Sequence, residues 1–394
     1  MFRFLFLPLF LGATLHAQWE RVDPPARGGS GMPFLTMGGD GAILLSWLEP
    51  DNEQGHALKY SRWRAGAWSG AETISSGRNW FVNWADFSAL AVAKDGSMFA
   101  HWLARADSGG KYGYGIRLAR KGPSPGDAWR QVAAFNERDP DDYAGFLSFA
   151  GTTAAYLSPP SERVAGGGHD HEGHRKTLRL AEFASSGELK RDFEIDGDVC
   201  SCCQTASAVT PSGLLIAYRD HLPGEIRDIS IIRVREGRAT PPAVLHRDGW
   251  QINGCPTEGP AIAVNGRSVA IAWMTRANDT PRLQLAWSRD GGESFRAPVQ
   301  AHDGNPLGRP NLAAIDEREF VLVWLERTGS GAEVRLRTVR SDGWMSKSTV
   351  VAKVAASRAT GLPKVAVAEG RTLVVWRDES VRAAWISTRA LPRQ

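Results

Sequence analysis

The stretch AIAVNGRSVAIAWMTRANDTPRLQLAWSRDGGESF, residues 261–295, decides the fold. A short apolar run leads into a turn at Asn265-Gly266 and then into a second apolar run that ends in Trp273. A third run, LQLAWS (283–288), is followed by a glycine-rich turn. Short apolar runs separated by Gly, Asn and Asp are typical of antiparallel strands. The stretch therefore predicts three strands of one sheet, and the weaker PVQAH (298–302) is expected to be the fourth.

The second of these strands, with its terminal aromatic, recurs along the whole chain. The copies are LLSWLE (Trp47), FAHWLA (Trp102), AAYLSP (Tyr156), IAYRDH (Tyr218), IAWMTR (Trp273), LVWLER (Trp324) and VVWRDE (Trp376). Their near-constant spacing of roughly 50 to 60 residues is the signature of a repeat architecture. Four antiparallel strands per repeat form the blade of a β-propeller, whereas a pair of β-sandwiches would show no single period. We therefore predict an all-β propeller with seven four-stranded blades, or six if two repeats merge.

The last repeat runs out after three strands, PKVAVAEG, LVVWRDE and VRAAWIST. The missing fourth strand is expected to come from WERV (19–22) near the start of the chain, which would close the ring. Residues 18–394 are thus predicted to form one propeller domain.

Residues 1–17 have the pattern of a secretory signal peptide. One basic residue, Arg3, precedes a short apolar run, and Leu15-His16-Ala17 supplies a small-residue cleavage site. No segment has the long uninterrupted apolar run of a membrane helix. The mature protein is therefore expected to be periplasmic or secreted, with no membrane span.

Charge and composition exclude some partners. The 47 basic and 43 acidic residues give a net charge of +4 and are interspersed, without the basic block of a nucleic-acid binder. Fifteen tryptophans, 42 glycines and 22 prolines favour many short strands joined by turns. Nucleic acid is therefore not an expected partner.

The turn after the third strand of the fifth repeat is SRDGGESF, with Ser288, Asp290, Gly292 and Phe295 at its defining positions. It resembles the Asp-box (BNR) of the sialidase superfamily, Ser-x-Asp-x-Gly-x-x-Phe/Trp. The resemblance implies a structural turn in which Asp290 accepts amide hydrogens and Phe295 closes the blade.

Four further segments, FVNWADF (81–87), CSCCQT (200–205), EIRDI (225–229) and DGWQINGCPTEGP (248–260), resemble a group of exported bacterial sialidase-like proteins. Sialidases themselves share an Arg-Ile-Pro motif and an arginine cluster that holds a carboxylate. Here the first repeat has Met32-Pro33 and no arginine at that place. No catalytic residue is therefore transferred, although a sialidase-type glycoside hydrolase stays an alternative.

Two cysteine- and histidine-containing segments suggest a metal site. GGGHDHEGHR (166–175) falls between the second and third strands of the third repeat, and VCSCCQT (199–205) leads into the fourth. Loops of these two kinds open on one face of a propeller, which we call the rim. The candidate ligands are Cys200, Cys202, Cys203, Cys255, His169, His171 and His174. Thiolate and imidazole donors suit copper, and zinc fits less well because only one cysteine lies outside the CSCC segment.

Two other interpretations of these residues stay open. In an exported protein, four cysteines commonly form two disulfides, and Cys255 would then bond to one sulfur of the CSCC segment. The histidine loop would then be a solvent-exposed insertion. One disulfide combined with a histidine site is a third arrangement.

Aromatic, acidic and basic residues on the same rim could bind a small molecule or glycan. The candidates are Arg78, Trp84, Asp86, Arg219, Asp220, Arg309 and Arg358. The sequence thus predicts a binding protein with a Cys/His copper site. A glycoside hydrolase and a scaffold for a protein partner are the alternatives, since propellers host all three.

Overall fold

The seven aromatic-ended segments each form the second strand of an antiparallel sheet, and the seven sheets are the blades of a propeller. This computed structural model describes residues 18–51, 55–106, 110, 112–136, 139, 141–160 and 175–393. The prediction of seven blades is confirmed. Residues 1–17, assigned above to a signal peptide, lie outside the described residues, as do His169, His171 and His174.

The strands of the first four blades are as follows. Blade 1 has β2 (Gly31–Met37), β3 (Ile43–Asp51), β4 (Gly55–Arg64) and an outer strand in two pieces, β5 (Ala67–Trp68) and β6 (Glu72–Gly77). Blade 2 has β7 (Leu90–Val92), β8 (Met98–Arg105), β9 (Tyr114–Lys121) and β10 (Arg130–Phe135). Blade 3 has β11 (Gly145–Ala150), β12 (Thr153–Ser158), β13 (Lys176–Phe183) and β14 (Leu189–Val199). Blade 4 has β15 (Ala206–Thr210), β16 (Gly213–Arg219), β17 (Ile229–Arg235), and the outer pieces β18 (Arg238–Ala239) and β19 (Ala243–His246).

The other three blades complete the ring. Blade 5 has β20 (Ala261–Asn265), β21 (Ser268–Thr275), β22 (Arg282–Ser288) and β23 (Val299–Gln300). Blade 6 has β24 (Pro306–Ala314), β25 (Glu319–Arg327), β26 (Ala332–Arg340) and β27 (Thr349–Val354). Blade 7 has β28 (Lys364–Ala368), β29 (Arg371–Asp378) and β30 (Ser380–Ser387). The described helical turns are short 3₁₀ segments, Ala277–Asp279, Arg358–Thr360 and Thr388–Ala390.

Blade 7 is completed by β1 (Glu20–Arg21), the first strand among the described residues. It pairs antiparallel with β30, with Glu20 opposite Trp385 and Arg21 opposite Ala384. Asp23 holds the chain just after this strand by accepting hydrogen bonds from the Ala383 amide and the Arg382 side chain. The expected closure by the WERV segment is thereby confirmed.

The recurring aromatic residues explain why each repeat packs against the next. Trp47, Trp273 and Trp324 are fully buried in apolar clusters of the sheets. The indole N–H of Trp47 donates to Glu49 at 2.9 Å, and that of Trp324 donates to Glu326 at 2.7 Å. A buried indole N–H needs such an acceptor, which accounts for the glutamate two residues after these tryptophans.

The turn between β22 and β23 has the local structure that its sequence suggests. The Gly292 amide donates to Ser288 Oγ at 2.8 Å, and the Glu293 and Ser294 amides donate to Asp290 at 3.0 Å. Gly292 has a φ of 90°, a conformation that glycine adopts at no steric cost. Phe295 packs against the apolar cluster of blades 4 and 5.

Within the described part of the chain, no helix is long and apolar enough to cross a bilayer.

Candidate functional site

The three sulfurs of the CSCC segment lie together in the loop from blade 3 to blade 4. The Sγ atom of Cys200 is 3.6 Å from that of Cys203 and 3.9 Å from that of Cys202. All three sulfurs lie within 4.8 Å of one another, and the three side chains are 2 to 8 % exposed. Three soft donor atoms thus face one small volume inside the protein.

The fourth cysteine reaches this group from the next loop around the ring. Cys255 lies between β19 and β20, and a hydrogen bond from the Cys202 thiol lowers the pKa of Cys255 to about 7. Unlike the other three, Cys255 is exposed. The structure therefore places one accessible sulfur beside three buried ones.

The cysteines are free thiols in this structure. The Cys200–Cys203 separation of 3.6 Å is far beyond the roughly 2.05 Å of a disulfide bond. The expected disulfides, including one from Cys255 to the CSCC segment, are therefore not supported.

Hydrogen bonds and burial divide the thiols into two kinds. Hydrogen bonds from Cys202 and Cys203 hold the pKa of Cys200 well below its usual value. The bond to Cys200 raises the pKa of Cys202, and burial raises that of Cys203. Cys200 and Cys255 are thus the preferred thiolates, while Cys202 and Cys203 donate to them.

The loop that carries the cysteines is fixed by bonds from neighbouring blades. The Tyr143 hydroxyl donates to the Ser201 carbonyl, and the Cys200 amide donates to the Arg219 carbonyl at 3.2 Å. The Gln204 side chain donates to the Ala85 carbonyl at 2.6 Å and accepts from the Gly259 amide at 2.8 Å. The position of the sulfurs is therefore set by the ring and not only by the loop.

Tyr143 belongs to a buried aromatic and charged group beside the cysteines that the sequence did not indicate. Its ring stacks on Tyr114 with centroids 4.9 Å apart, and Lys176 Nζ lies 3.8 Å from its centroid. Lys176 also forms an ion pair with Asp142. The only sequence signal was Lys176 at the first position of the strand KTLRLAEF.

Arg219 and Asp220 lie at the end of β16, directly behind the cysteine loop. Arg219 is 1 % exposed, and its guanidinium donates to the carbonyls of Glu258 (2.8 Å), Met274 (2.7 Å) and Arg227. Asp220 accepts from Ser230 Oγ at 2.6 Å, and burial raises its pKa to about 6. Arg219 thus joins blades 4 and 5 below the rim, whereas Asp220 is bonded within blade 4. The ligand-binding role given to both above stays a prediction.

We expect the Arg219→Met substitution to destabilise the protein by roughly 3–5 kcal/mol, because it leaves main-chain carbonyls from three segments without their buried donor. Urea unfolding measures this change. The exposed Arg358→Met variant is the control and should stay within about 0.5 kcal/mol of the wild type. An unchanged urea midpoint for Arg219→Met would show that this guanidinium does not hold the two blades together.

The remaining predicted rim residues fall into separate places. Arg309 lies over the Trp84 ring, 4.4 Å from its centroid, and donates to the Ser357 and Gly361 carbonyls. Arg358 is exposed nearby. Burial is the main cause that lowers the pKa of Arg309, and the charge of Arg358 lowers it further.

Asp86 is buried beside the central channel, where it accepts from Tyr114 (2.9 Å) and from the Phe146 amide (2.7 Å), and burial raises its pKa to about 7. Arg78 lines a different, shallow depression between blades 1 and 2.

No family model matches the chain, and no curated protein matches its sequence. Solved structures share its fold. The BP39L lectin from Burkholderia pseudomallei superposes with a TM-score of 0.63 at 12 % identity, over 92 % of this chain and 97 % of the lectin. A polysaccharide lyase of family PL25, an ulvan lyase, gives a TM-score of 0.55 at 11 % identity, over 93 % of this chain and 96 % of the lyase. A Hadza microbial sialidase, Hz136, gives 0.45 at 12 % identity, over 76 % of this chain and 66 % of the sialidase.

At these identities the likeness concerns the fold. The chain is a seven-bladed β-propeller with a buried cysteine cluster between blades 3 and 4.

Proposed function

We propose that this propeller is a metal-binding protein that takes up Cu(I) in a site made by Cys200, Cys202 and Cys203. The observation that carries the proposal is the approach of three buried sulfurs to within 4.8 Å of one another. Soft thiolate ligands select Cu(I), Zn(II) and iron–sulfur clusters over hard cations. Structural zinc takes four ligands in a tetrahedron. Three sulfurs are buried together here, while the fourth, Cys255, lies exposed at their edge, and this difference favours Cu(I).

Electrostatics support a thiolate cluster at this place. The hydrogen bonds from Cys202 and Cys203 are the main cause of the lowered pKa of Cys200, and the charge of Arg219 lowers it further. The bond from Cys202 is the main cause of the lowered pKa of Cys255, and the charge of Arg227 lowers that pKa further. Two fixed guanidinium groups thus offset part of the negative charge that several thiolates would bring into the interior. A metal ion would supply the rest, because a coordinated thiol is deprotonated outright.

The proposal is tested by titrating the reduced, untagged protein with Cu(I) in competition with a chromophoric chelator such as bathocuproine disulfonate. We expect one Cu(I) per chain and the loss of three free thiols to alkylation once the metal is bound. Zn(II) should bind more weakly in the same cluster. Failure to compete for Cu(I), or full thiol reactivity in its presence, would contradict the proposal.

Cys255 is expected to act as the entry ligand. It is the exposed sulfur beside the buried cluster, and it lies on an open cleft of about 630 Å³ between blades 4 and 5. Replacing Cys255 by serine should therefore slow Cu(I) transfer from the chelator, measured by stopped flow, more than it lowers the equilibrium affinity. Asn253→Ala in the same loop is the matched control and should transfer copper at the wild-type rate. Equal rates for Cys255→Ser and the wild type would rule out this role.

The finer family and location are part of the same proposal. The SRDGGESF turn and the four segments that resemble exported sialidase-like proteins support membership of that group, and the first 17 residues support export to the periplasm or outside the cell. His169, His171 and His174, which lie outside the described residues, stay candidate imidazole ligands on the evidence of the sequence alone.

Glycan binding is the second candidate. It is supported by the fold shared with a lectin and a polysaccharide lyase, and by Trp84 on the rim. A sialidase-type hydrolase would need a carboxylate acid/base, for which no residue is assigned. Release of a fluorophore from a sialoside, lost in Arg309→Met, would favour the enzyme over the metal-binding protein.

A further inference from the structure

A cavity of about 230 Å³ opens on the rim between blades 1 and 7, on the other side of the ring from the cysteines. The residues that form it come from the ends of β2, β3 and β4, the loop into blade 2 and the loop into blade 7. Its apolar wall includes Met32, Leu48, Trp84, Phe87 and Leu362. Mostly apolar pockets with a few fixed polar groups are typical binding sites for small molecules.

Lys364 is the unusual group in this wall. It opens β28, the innermost strand of blade 7, and is only 6 % exposed. Its Nζ atom lies 4.3 Å from the centroid of the Phe87 ring and 5.5 Å from that of Phe34. Among the residues that the structure describes, no carboxylate or carbonyl is recorded as a hydrogen-bond or ion-pair partner of this amine.

A buried amine without a counter-charge is costly. Burial lowers the pKa of Lys364 to about 7, with no opposing contribution from an acidic group. Cation–π contacts with two phenylalanine rings compensate only part of the lost hydration. Buried charges in proteins are ordinarily paired, and among the described residues the Lys364 ammonium has no anionic partner.

None of the other polar groups around the cavity supplies an uncompensated negative charge. Glu49 already accepts from Lys59 at 2.6 Å and from the Trp47 indole at 2.9 Å. Arg377 donates from Nε to the Ser30 carbonyl and from Nη1 to the Ala359 carbonyl, and these bonds do not neutralise its charge. His56 Nδ1 is buried with no partner among the described residues. The cavity thus combines surplus positive charge, an unpaired imidazole nitrogen and an apolar wall.

We propose that this cavity binds a small organic carboxylate with an apolar body, whose carboxylate pairs with the Lys364 ammonium while its body packs on Trp84 and Phe87. The site is separate from the cysteine cluster and does not depend on metal binding. Met32, Leu48 and Leu362 limit the body to a compact ring or short chain.

Sodium benzoate is a suitable probe, and benzamide is its uncharged counterpart of nearly the same shape. Binding to the full chain is measured by saturation-transfer NMR and by calorimetry at pH 6.5. We expect benzoate to bind, and benzamide to bind at least about tenfold more weakly, because only the carboxylate pairs with the amine. Lys364→Met should weaken benzoate binding by at least about tenfold and leave benzamide binding unchanged. The exposed Lys94→Met variant is the control and should bind benzoate as the wild type does.

Three results would overturn the proposal. Benzoate and benzamide binding with equal affinity would remove the carboxylate from recognition, and full benzoate affinity in Lys364→Met would remove this amine. Absence of benzoate binding to the wild type would also reject the site for compact aromatic carboxylates. Lys364→Arg keeps the positive charge, so retained benzoate binding in that variant would confirm that charge, and not a fold defect, explains the loss in Lys364→Met.

Discussion

Replacing Cys200, Cys202 and Cys203 together by serine is expected to abolish Cu(I) binding, with a loss of affinity of several orders of magnitude. A serine hydroxyl has nearly the volume of the thiol, but it is a hard donor that does not replace a soft thiolate on Cu(I). The loop should keep its conformation, because it is held by the Tyr143 hydroxyl and by both ends of the Gln204 amide. The measurement is the same chelator competition as for the wild type.

Two comparisons make this result specific. Cys255→Ser removes one sulfur and leaves the buried cluster, so its equilibrium affinity should stay much closer to that of the wild type. Urea unfolding of the triple variant should show a cooperative transition close to that of the metal-free wild type. Wild-type copper affinity in a folded triple variant would place the metal elsewhere and reject the proposed site.

Replacing Lys364 by methionine is expected to stabilise the protein, and the gain should depend on pH. The usual pKa of 10.5 falls to about 7 in the folded chain because of burial. Between these values the unfolded chain binds more protons than the folded one, so the stability of the wild type rises with pH across this window. The penalty that methionine removes is therefore full below pH 7, about 4 kcal/mol at pH 7, and absent above pH 10.5.

Urea unfolding at pH 7 and at pH 10 separates this effect from a change in packing. Lys364→Met should exceed the wild type clearly at pH 7, and the difference should shrink strongly at pH 10. Lys94→Met, at an exposed position, should match the wild type at both values. A loss of stability in Lys364→Met at pH 7, or a gain that does not change with pH, would contradict the assignment of an uncompensated buried amine.

The fold could be predicted from the sequence because its signal is repeated. Each aromatic-ended strand, such as IAWMTR, marks the same place in a blade, and seven copies at one period specify a ring even where single strands are weak. The outer strand of blade 5 shows this weakness, since PVQAH yields only Val299–Gln300. The closing strand was predictable because the last repeat lacked its fourth strand and the unassigned segment WERV (19–22) could supply it.

The candidate site was predictable only in part. Topology places the loops that carry Cys200 and Cys255 on one rim, and this was sufficient to bring their thiols together. Topology did not show whether the sulfurs are bonded to one another. A disulfide bond of about 2 Å and the observed Sγ–Sγ separation of 3.6 Å are both compatible with the same cysteine spacing in the sequence. The burial of Lys364 could not be predicted, because apolar and other residues alternate in PKVAVA as in any half-buried strand. The direction in which the lysine side chain is buried depends on how blade 7 packs against blades 1 and 2.

The pairing of β1 with β30 joins residues more than 360 positions apart, Glu20 with Trp385. Blade 7 is therefore completed only after residue 385 has been made, although its outer strand is among the first segments to be synthesised. Cys200, Cys202 and Cys203 lie in one loop, and Cys255 follows about fifty residues later. During synthesis the segment that carries all four cysteines is thus complete before β1 and β30 can pair, so a metal bound at the proposed site could join the loops into blades 4 and 5 before the ring closes.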